Sequence, residues 1–433
     1  MPSLQLLDSL PGHSDPAWSV SFNPSRPLLA SCSTDKTVRL YTYTLPPTTD
    51  TPSTPFPTSS SAKPAFHLST TIQTSHKRTV RSIAWAPSGR TLATASFDST
   101  VGVWEEVNAD LVDSEDVEGV FGSNEGEDRG EKEWECVTTL EGHDSECKGV
   151  RFSNDGGLLA SCSRDKSVWV WEVQPDADFE CIAVMMEHAQ DVKCIAWHPH
   201  EEASRNPSIL ASASYDSHIH LLFDDPDGDW CAFQKLHPKL PAAPLTIPAT
   251  SSSLVANLVE PQSASEQLQV PPLLEDETVW SLAWSPCGRY LASGGDLGGI
   301  RIWTRQGNQP DSQFVESVHT AAHSRSCFSL SWSPGGISVD SGGLGILASG
   351  GGDGKILIWQ IYLSQPSGLA NGDVAAESHS RPGMTLITAI KEAHGVSDVN
   401  SVAWCLREES KGLGILGSAG DDGGVRVWRV VED

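Results

Sequence analysis

Positive charge is what this 433-residue chain has least of: 29 Lys and Arg stand against 56 Asp and Glu, a net charge of −27. Binders of nucleic acid or anionic membrane reward clustered Lys and Arg, so a general role of either kind is excluded. Long apolar runs are missing as well. No stretch approaches the 18 or more residues of a membrane span, and Met1-Pro2-Ser3-Leu4 is not a basic flank leading into an apolar core, so a soluble, non-secreted chain is predicted. The ten cysteines form no CxxC pair and no metal-ligand spacing, and several, such as Cys32 and Cys162, sit in alternating apolar segments. They read as reduced thiols behaving as small hydrophobes.

What the chain has instead is a period. Leu28-Leu29-Ala30-Ser31-Cys32-Ser33-Thr34-Asp35-Lys36-Thr37-Val38-Arg39-Leu40-Tyr41 recurs as Leu158-Leu159-Ala160-Ser161-Cys162-Ser163-Arg164-Asp165-Lys166-Ser167-Val168-Trp169-Val170-Trp171. Weaker copies end at Trp104, Leu222, Trp303, Trp359 and Trp428, making seven. His13, His76, His143, His188 and His323 each stand nine residues before an aromatic; His394 stands ten before, and Glu275 takes the place in the fifth unit. Short alternating strands with turn residues between them, such as Val80 to Trp85, Thr91 to Ser96 and Thr100 to Trp104, make each unit a small antiparallel sheet.

On these residues the chain resembles the WD-repeat family, and the resemblance implies an all-β, seven-bladed propeller closed by the N-terminal strand, Leu4 to Leu10, pairing into the last blade. A single domain over 1–433 is expected, with blades at about 11–75, 76–142, 143–187, 188–274, 275–322, 323–393 and 394–433 plus 3–10. In that family an Asp in the b–c turn, a His before strand a, a Ser or Thr on strand b and a Trp on strand c form a hydrogen-bonded relay. The matching sets are His76, Asp98, Thr94 and Trp104; His143, Asp165, Ser161 and Trp171; His323, Asp353, Ser349 and Trp359; and His394, Asp422, Ser418 and Trp428. Tyr41 and Leu222 replace the Trp of blades one and four. Blade five has Glu275 and Leu297 in place of His and Asp, so compensation or softness is expected there.

Four tracts interrupt the period: 46–64, rich in Pro, Ser and Thr; 105–135, with thirteen acids against Arg129 and Lys132; 237–275; and 362–386. Their composition predicts disorder. All four are expected to follow strand c, on the rim opposite the relay, which would leave the relay face unobstructed.

Two columns should point to the channel mouth on that face. Four residues before each strand-a aromatic stand Trp18, Arg81, Lys148, Lys193, Trp280, Phe328 and Asn400. Before each turn Asp stand Thr34, Phe97, Arg164, Tyr215, Asp296, Gly352 and Asp421. Arg81, Lys148, Arg164 and Lys193 form a cationic arc; Trp18, Trp280 and Phe328, with Phe97 and Tyr215 nearby, form an aromatic one. Such a surface suits an acidic or carboxylate-ended peptide carrying a bulky apolar side chain.

Catalytic and metal motifs are wanting. Gly350 to Lys355 looks like a phosphate loop, but Ile356 follows the Lys and a strand stands where a helix is required. His218 and His220 could ligate a metal with a third partner, but they stand where blade one has Thr37 and Arg39, and a surface strand is the expected reading. No enzyme, cofactor or metal site is predicted.

A narrower resemblance lies in Glu141-Gly142-His143-Asp144-Ser145-Glu146-Cys147-Lys148-Gly149-Val150 and in Ser163-Arg164-Asp165-Lys166-Ser167-Val168-Trp169, continuing through Met186 to Lys193. These are similar to the third and fourth blades of the propellers of the cytosolic iron–sulfur protein assembly (CIA) targeting complex, in a fungal form with long insertions. The resemblance implies a non-catalytic scaffold, in the cytoplasm and also the nucleus. Its partners would be a small CIA adaptor subunit, a HEAT-repeat CIA subunit, a hydrogenase-like iron–sulfur carrier and client iron–sulfur apoproteins. It also implies a functional exposed arginine at Arg164. The alternatives are a ubiquitin-ligase substrate receptor, against which stands the absence of room for an adaptor-binding segment before Leu4, and a chromatin-associated reader, which would need an acidic mouth for a basic peptide.

Overall fold

In a computed structural model, residues 2–45, 56–58, 62–108, 132–175, 178–199, 208–225, 227–243, 276–309, 311–364, 381–407, 410 and 413–432 are described. They form seven four-stranded antiparallel sheets. The innermost strands are Ala17–Phe22, Val80–Trp85, Cys147–Phe152, Val192–Trp197, Val279–Trp284, Cys327–Ser333 and Val399–Trp404. Each contacts its neighbours in order, and the seventh returns to the first, so the blades close around an axis. Among the described residues no helix is long and apolar enough to cross a membrane.

The sequence pattern explains both strand and packing. Strand b of every blade is a run such as Leu28–Ser33 or Ile209–Ser214, small or apolar, buried along all or all but one of its residues between two sheets. Gly, or a non-glycine at positive φ, ends the b–c turns: Lys36, Ser99, Lys166 and Ser217 take left-handed angles of 67–76°, and Gly298, Gly354 and Gly423 do the same in blades five to seven. The strand-a aromatic staples blade to blade. The indole N–H groups of Trp85, Trp197, Trp284 and Trp404 donate to the backbone oxygens of Ser21, Arg151, Ala196 and Ser331 in the preceding blade, at 3.0–3.1 Å. Phe22, Phe152 and Trp332 complete this aromatic ring, which lines a cavity of about 740 Å³ at one end of the axis.

Closure is made by the N-terminal strand. Pro2–Leu10 pairs antiparallel with Val425–Glu432, from Pro2 opposite Glu432 to Leu10 opposite Val425, as the fourth strand of the last blade. Both edges that an open ring would expose are thereby paired.

The interrupting tracts need two corrections. Their ends are structured: strand c of blade two runs to Asn108 and strand d starts at Lys132, and in blade six the strands reach Ser364 and resume at Arg381. Within the first tract Phe56 is buried against Leu4, Trp404 and Trp428, and Thr58 bridges Glu432. The disorder expected for 46–55, 59–61, 109–131, 244–275 and 365–380 concerns residues outside those described. Position is the second correction. Three tracts join strand c to strand d, but the third leaves strand d of blade four, Trp230–Leu236, and enters strand a of blade five at Val279. It therefore begins and ends on the relay face, which is not clear of insertions as expected. Its first residues run along blade five, where Ala243 and Thr320 form a parallel bridge on the outer strand.

Candidate functional site at the channel mouth

A bulge puts the first column at the axis. In every blade the register between strands a and b shifts across the second residue of strand a: between Ala17 and Ser19, Val80 and Ser82, Cys147 and Gly149, Val192 and Cys194, Val279 and Ser281, Cys327 and Ser329, and Val399 and Ser401. The skipped residue is unpaired and its side chain is re-aimed. Those residues are Trp18, Arg81, Lys148, Lys193, Trp280, Phe328 and Asn400, and all seven line the same small opening.

Cations and rings interleave there rather than occupying separate arcs. The Arg81 guanidinium lies 4.7 Å from the Trp18 ring, Lys148 Nζ 4.1 Å from Phe97, and Lys193 Nζ 4.9 Å from Trp280 and 5.0 Å from Tyr215. Trp280 meets Phe328 edge to face at 5.2 Å. Contacts of this kind stabilise by about 0.5–1 kcal/mol each and hold long side chains in one conformation.

Acids complete the ring, and of these the sequence columns held Asp296 but missed Glu146 and Asp191. Glu146 receives Lys148 at 2.6 Å and Arg78 at 2.8 Å, Asp191 receives Lys193 at 3.4 Å, and Asp296 accepts from the Trp280 indole at 2.7 Å. Burial works to raise the Glu146 pKa, but hydrogen bonds from Lys148 and Arg78 outweigh it and hold the carboxyl below its usual range. Burial also pushes the Lys193 ammonium down, opposed by Asp191. The expected cationic arc is thus a mixed-charge one, because residues two positions before each lysine fold back onto it. Arg164 is different. Its side chain is 58% exposed and only 3.9 Å pairs it with Glu146. Tyr215 beside it is 52% exposed. These two project from b–c turns, whereas Arg81, Lys148, Lys193, Trp18, Trp280 and Phe328 line the opening itself.

Beneath this layer the relay sets the turns. In blade two His76 Nδ1 is 3.1 Å from Asp98 Oδ2, His76 Nε2 is 2.8 Å from Thr94 Oγ1, and the Trp104 indole donates to that hydroxyl at 2.9 Å. His143, Asp165, Ser161 and Trp171 repeat the pattern, as do His323, Asp353, Ser349 and Trp359, and His394, Asp422, Ser418 and Trp428. Blades one and four keep His, Asp and Ser while lacking the Trp.

Blade five is rebuilt. Glu275 lies outside the described residues, and the group at the relay position is Glu277. Its carboxylate accepts the Leu297 backbone N–H at 3.0 Å, a group that in blades one to four donates to the hydroxyl of Ser33, Ser96, Ser163 or Ser214, where blade five has Gly295. Arg301 bridges Glu277, at 2.9 Å, and Glu316, and donates to the Leu240 backbone oxygen at 3.0 Å. The side chains of all three are within 6% of full burial. Of the two outcomes expected, compensation is the one present.

A second expectation fails in blade four. His220 is not on a surface strand but 3% exposed, and its ring packs edge-on against the relay residue His188 at a centroid distance of 4.3 Å. All ten cysteines are free thiols. Burial raises Cys147, Cys162, Cys194 and Cys327 and pushes Cys32 up to about 12, so these stay protonated and unreactive.

Comparison with known proteins places this geometry. The family model described as "WD domain, G-beta repeat" matches residues 4–42, 68–105, 134–172, 179–221, 273–304 and 315–360, six segments that make up more than half of the chain. A protein of Cryptococcus neoformans var. neoformans serotype D, named "Probable cytosolic iron-sulfur protein assembly protein 1", is 63% identical over 99% of both chains. Proteins of the same name from Mycosarcoma maydis and Aspergillus oryzae are 40% and 33% identical, each over 98% of this chain and over 93% and 98% of their own.

Proposed function

The chain belongs to the WD40-repeat family and, through full-length relatives, to the family of cytosolic iron–sulfur protein assembly protein 1, and on that membership we propose that it serves cytosolic iron–sulfur assembly as a non-catalytic docking platform. Its partners on this reading are other proteins of the assembly machinery: a small adaptor subunit, a HEAT-repeat subunit, a hydrogenase-like cluster carrier and client apoproteins. The cytoplasm is its place of work. A ligand surface is what the mouth offers, since propellers of this family act by presenting a rim rather than by chemistry.

One observation carries the reading. Arg164 is a guanidinium with one long ion pair, held at the edge of a ring in which the other cations are already matched by Glu146, Asp191 or aromatic faces. A planar fork of that kind takes a carboxylate through two N–H donors, and the exposed Tyr215 with Trp280 and Phe328 at the opening offers aromatic surface for an apolar or aromatic side chain. The ligand class is a peptide with an acidic group or free carboxylate beside a bulky residue.

Arg164→Glu tests this with the fold intact, because its guanidinium is mostly in solvent. Losing a charge-assisted pair costs about 1.5–3 kcal/mol, so client or carrier affinity measured by calorimetry should fall by about 10- to 100-fold. Wild-type affinity in the folded variant would remove the mouth as the docking site.

A further inference from the structure

Blade four contains an imidazole whose polar atoms have no use in the protein alone. His220 lies on strand c between Ser212 of strand b and Lys235 of strand d, and neither of its ring nitrogens has a hydrogen-bond partner although both are buried. A neutral imidazole has one donor and one acceptor, and burying both unmatched is costly. The other six blades place another residue in that column, Arg39, Gly102, Trp169, Arg301, Leu357 and Arg426, of which Arg39 also leaves its buried Nε unmatched.

We propose that His188, Asp216 and His220 form a binding site for a divalent transition-metal ion of the zinc type. Among the described residues this is the one grouping of three potential ligands, with one donor atom from each lying within 4.8 Å of the others. Two imidazoles and a carboxylate favour a borderline ion over magnesium or calcium, which take all-oxygen shells. Donors about 2.0–2.1 Å from a tetrahedral ion stand roughly 3.3 Å apart. His188 Nδ1 and Asp216 Oδ2 are 3.0 Å apart, so an ion can replace the proton they share with little movement.

The surroundings act as supports. His188 Nε2 stays on Ser212 Oγ at 2.8 Å, which fixes the ring with Nδ1 facing the carboxylate. Asp216 keeps the backbone N–H groups of His218 at 3.0 Å and Ala189 at 2.8 Å. The corresponding position in blades one to three carries a hydroxyl, Thr37, Thr100 or Ser167, that bonds His Nδ1 at 3.1–3.2 Å and fills the space. In blade four it is His218, whose Nδ1 stands 3.6 Å from Asp216 Oδ1, so a fourth ligand position faces His218 or water. Burial lowers His220 to about 3, so the ring is in the neutral, ligating form at physiological pH.

Binding shifts the His188 Nδ1 proton to Nε2, which then donates to Ser212 Oγ, so the neutral ring ligates with no net proton released. Full-length, tag-free protein is stripped with EDTA, dialysed and titrated with CoCl2 and with ZnCl2. Expected are visible d–d absorption from cobalt at one equivalent and a Kd for zinc on the order of micromolar or tighter, read as a saturable calorimetric heat. The variant His220→Leu, checked for folding by its thermal melt, should weaken binding by more than about tenfold. His67→Ala, an exposed histidine on blade one, should not. In the wild type, zinc should displace the ring 15N resonances of His188 and His220, a result independent of whether any variant folds. Absence of stoichiometric binding, or full binding by folded His220→Leu, would overturn the site.

Discussion

At the residue scale, the lesson of blade five is that a relay can be replaced without being reproduced. Two carboxylates and one guanidinium, nearly free of solvent contact, do the work of a His–Asp pair. Such a cluster has little net value over an apolar one, yet removing its centre leaves two buried acids facing each other. Arg301→Ala is therefore expected to destabilise by about 3–5 kcal/mol, read from the urea midpoint, with the largest loss of amide protection in blade five. A cost under about 1 kcal/mol would show that water reaches the pair. The relay members of blades two, three, six and seven were legible because they recur at fixed offsets. Glu277 was not, since it stands two positions from the expected Glu275, and only Arg301 on a separate strand gives its carboxylate a reason to be there. His220 was misread for a related cause: its ring is buried against His188, a relay residue on a separate segment of the same blade.

At the scale of elements, strand lengths and connections decide what the tracts can do. Asn108 and Lys132 are ladder partners, so the acidic tract is a detour between residues already side by side. Replacing 109–131 with Asn-Gly should close a two-residue hairpin. Shortening the loop reduces its closure entropy, so the urea midpoint is expected to hold or rise by the equivalent of about 1–2 kcal/mol. A variant that fails to fold would mean the detour supports the sheet. That three tracts follow strand c was readable from their spacing. The placement of the tract at 237–275 was not, because strand d of blade four, Trp230–Leu236, follows an acidic turn and carries Gln234 and Lys235 near its end. The bulge that turns seven side chains toward the axis left only the constancy of one offset as its signal.

At the scale of the molecule, the repeated relay links stability to pH. Burial tends to raise its aspartates, but hydrogen bonds from histidine and from Thr37, Thr100 or Ser167 outweigh this. Asp35, Asp98, Asp165, Asp216 and Asp353 are held well below the carboxylate range, and Asp422 is held at about 2. A carboxyl depressed on folding contributes stability above its unfolded value near 3.8, and that contribution is lost as pH falls toward the folded value. His220, lowered by burial to about 3, adds an earlier phase: below about 6.5 the unfolded chain takes up a proton that the folded chain refuses. For metal-free protein the urea midpoint should be level above about pH 7, decline from about 6.5 and fall steeply below about 4. A level profile down to pH 3 would contradict both phases.

The strand that seals the ring also sets an order of events during synthesis. Residues 2 to 10 leave the ribosome before every other strand of the ring, yet their ladder partners, 425 to 432, follow all the others. Until then the nascent chain carries an unmatched first segment and a toroid with one gap. A chain released early, before Val425, has every earlier blade but no seal, and its exposed strand edges mark it for chaperones and proteases, so the ring is sealed only once Val425 to Glu432 have been made.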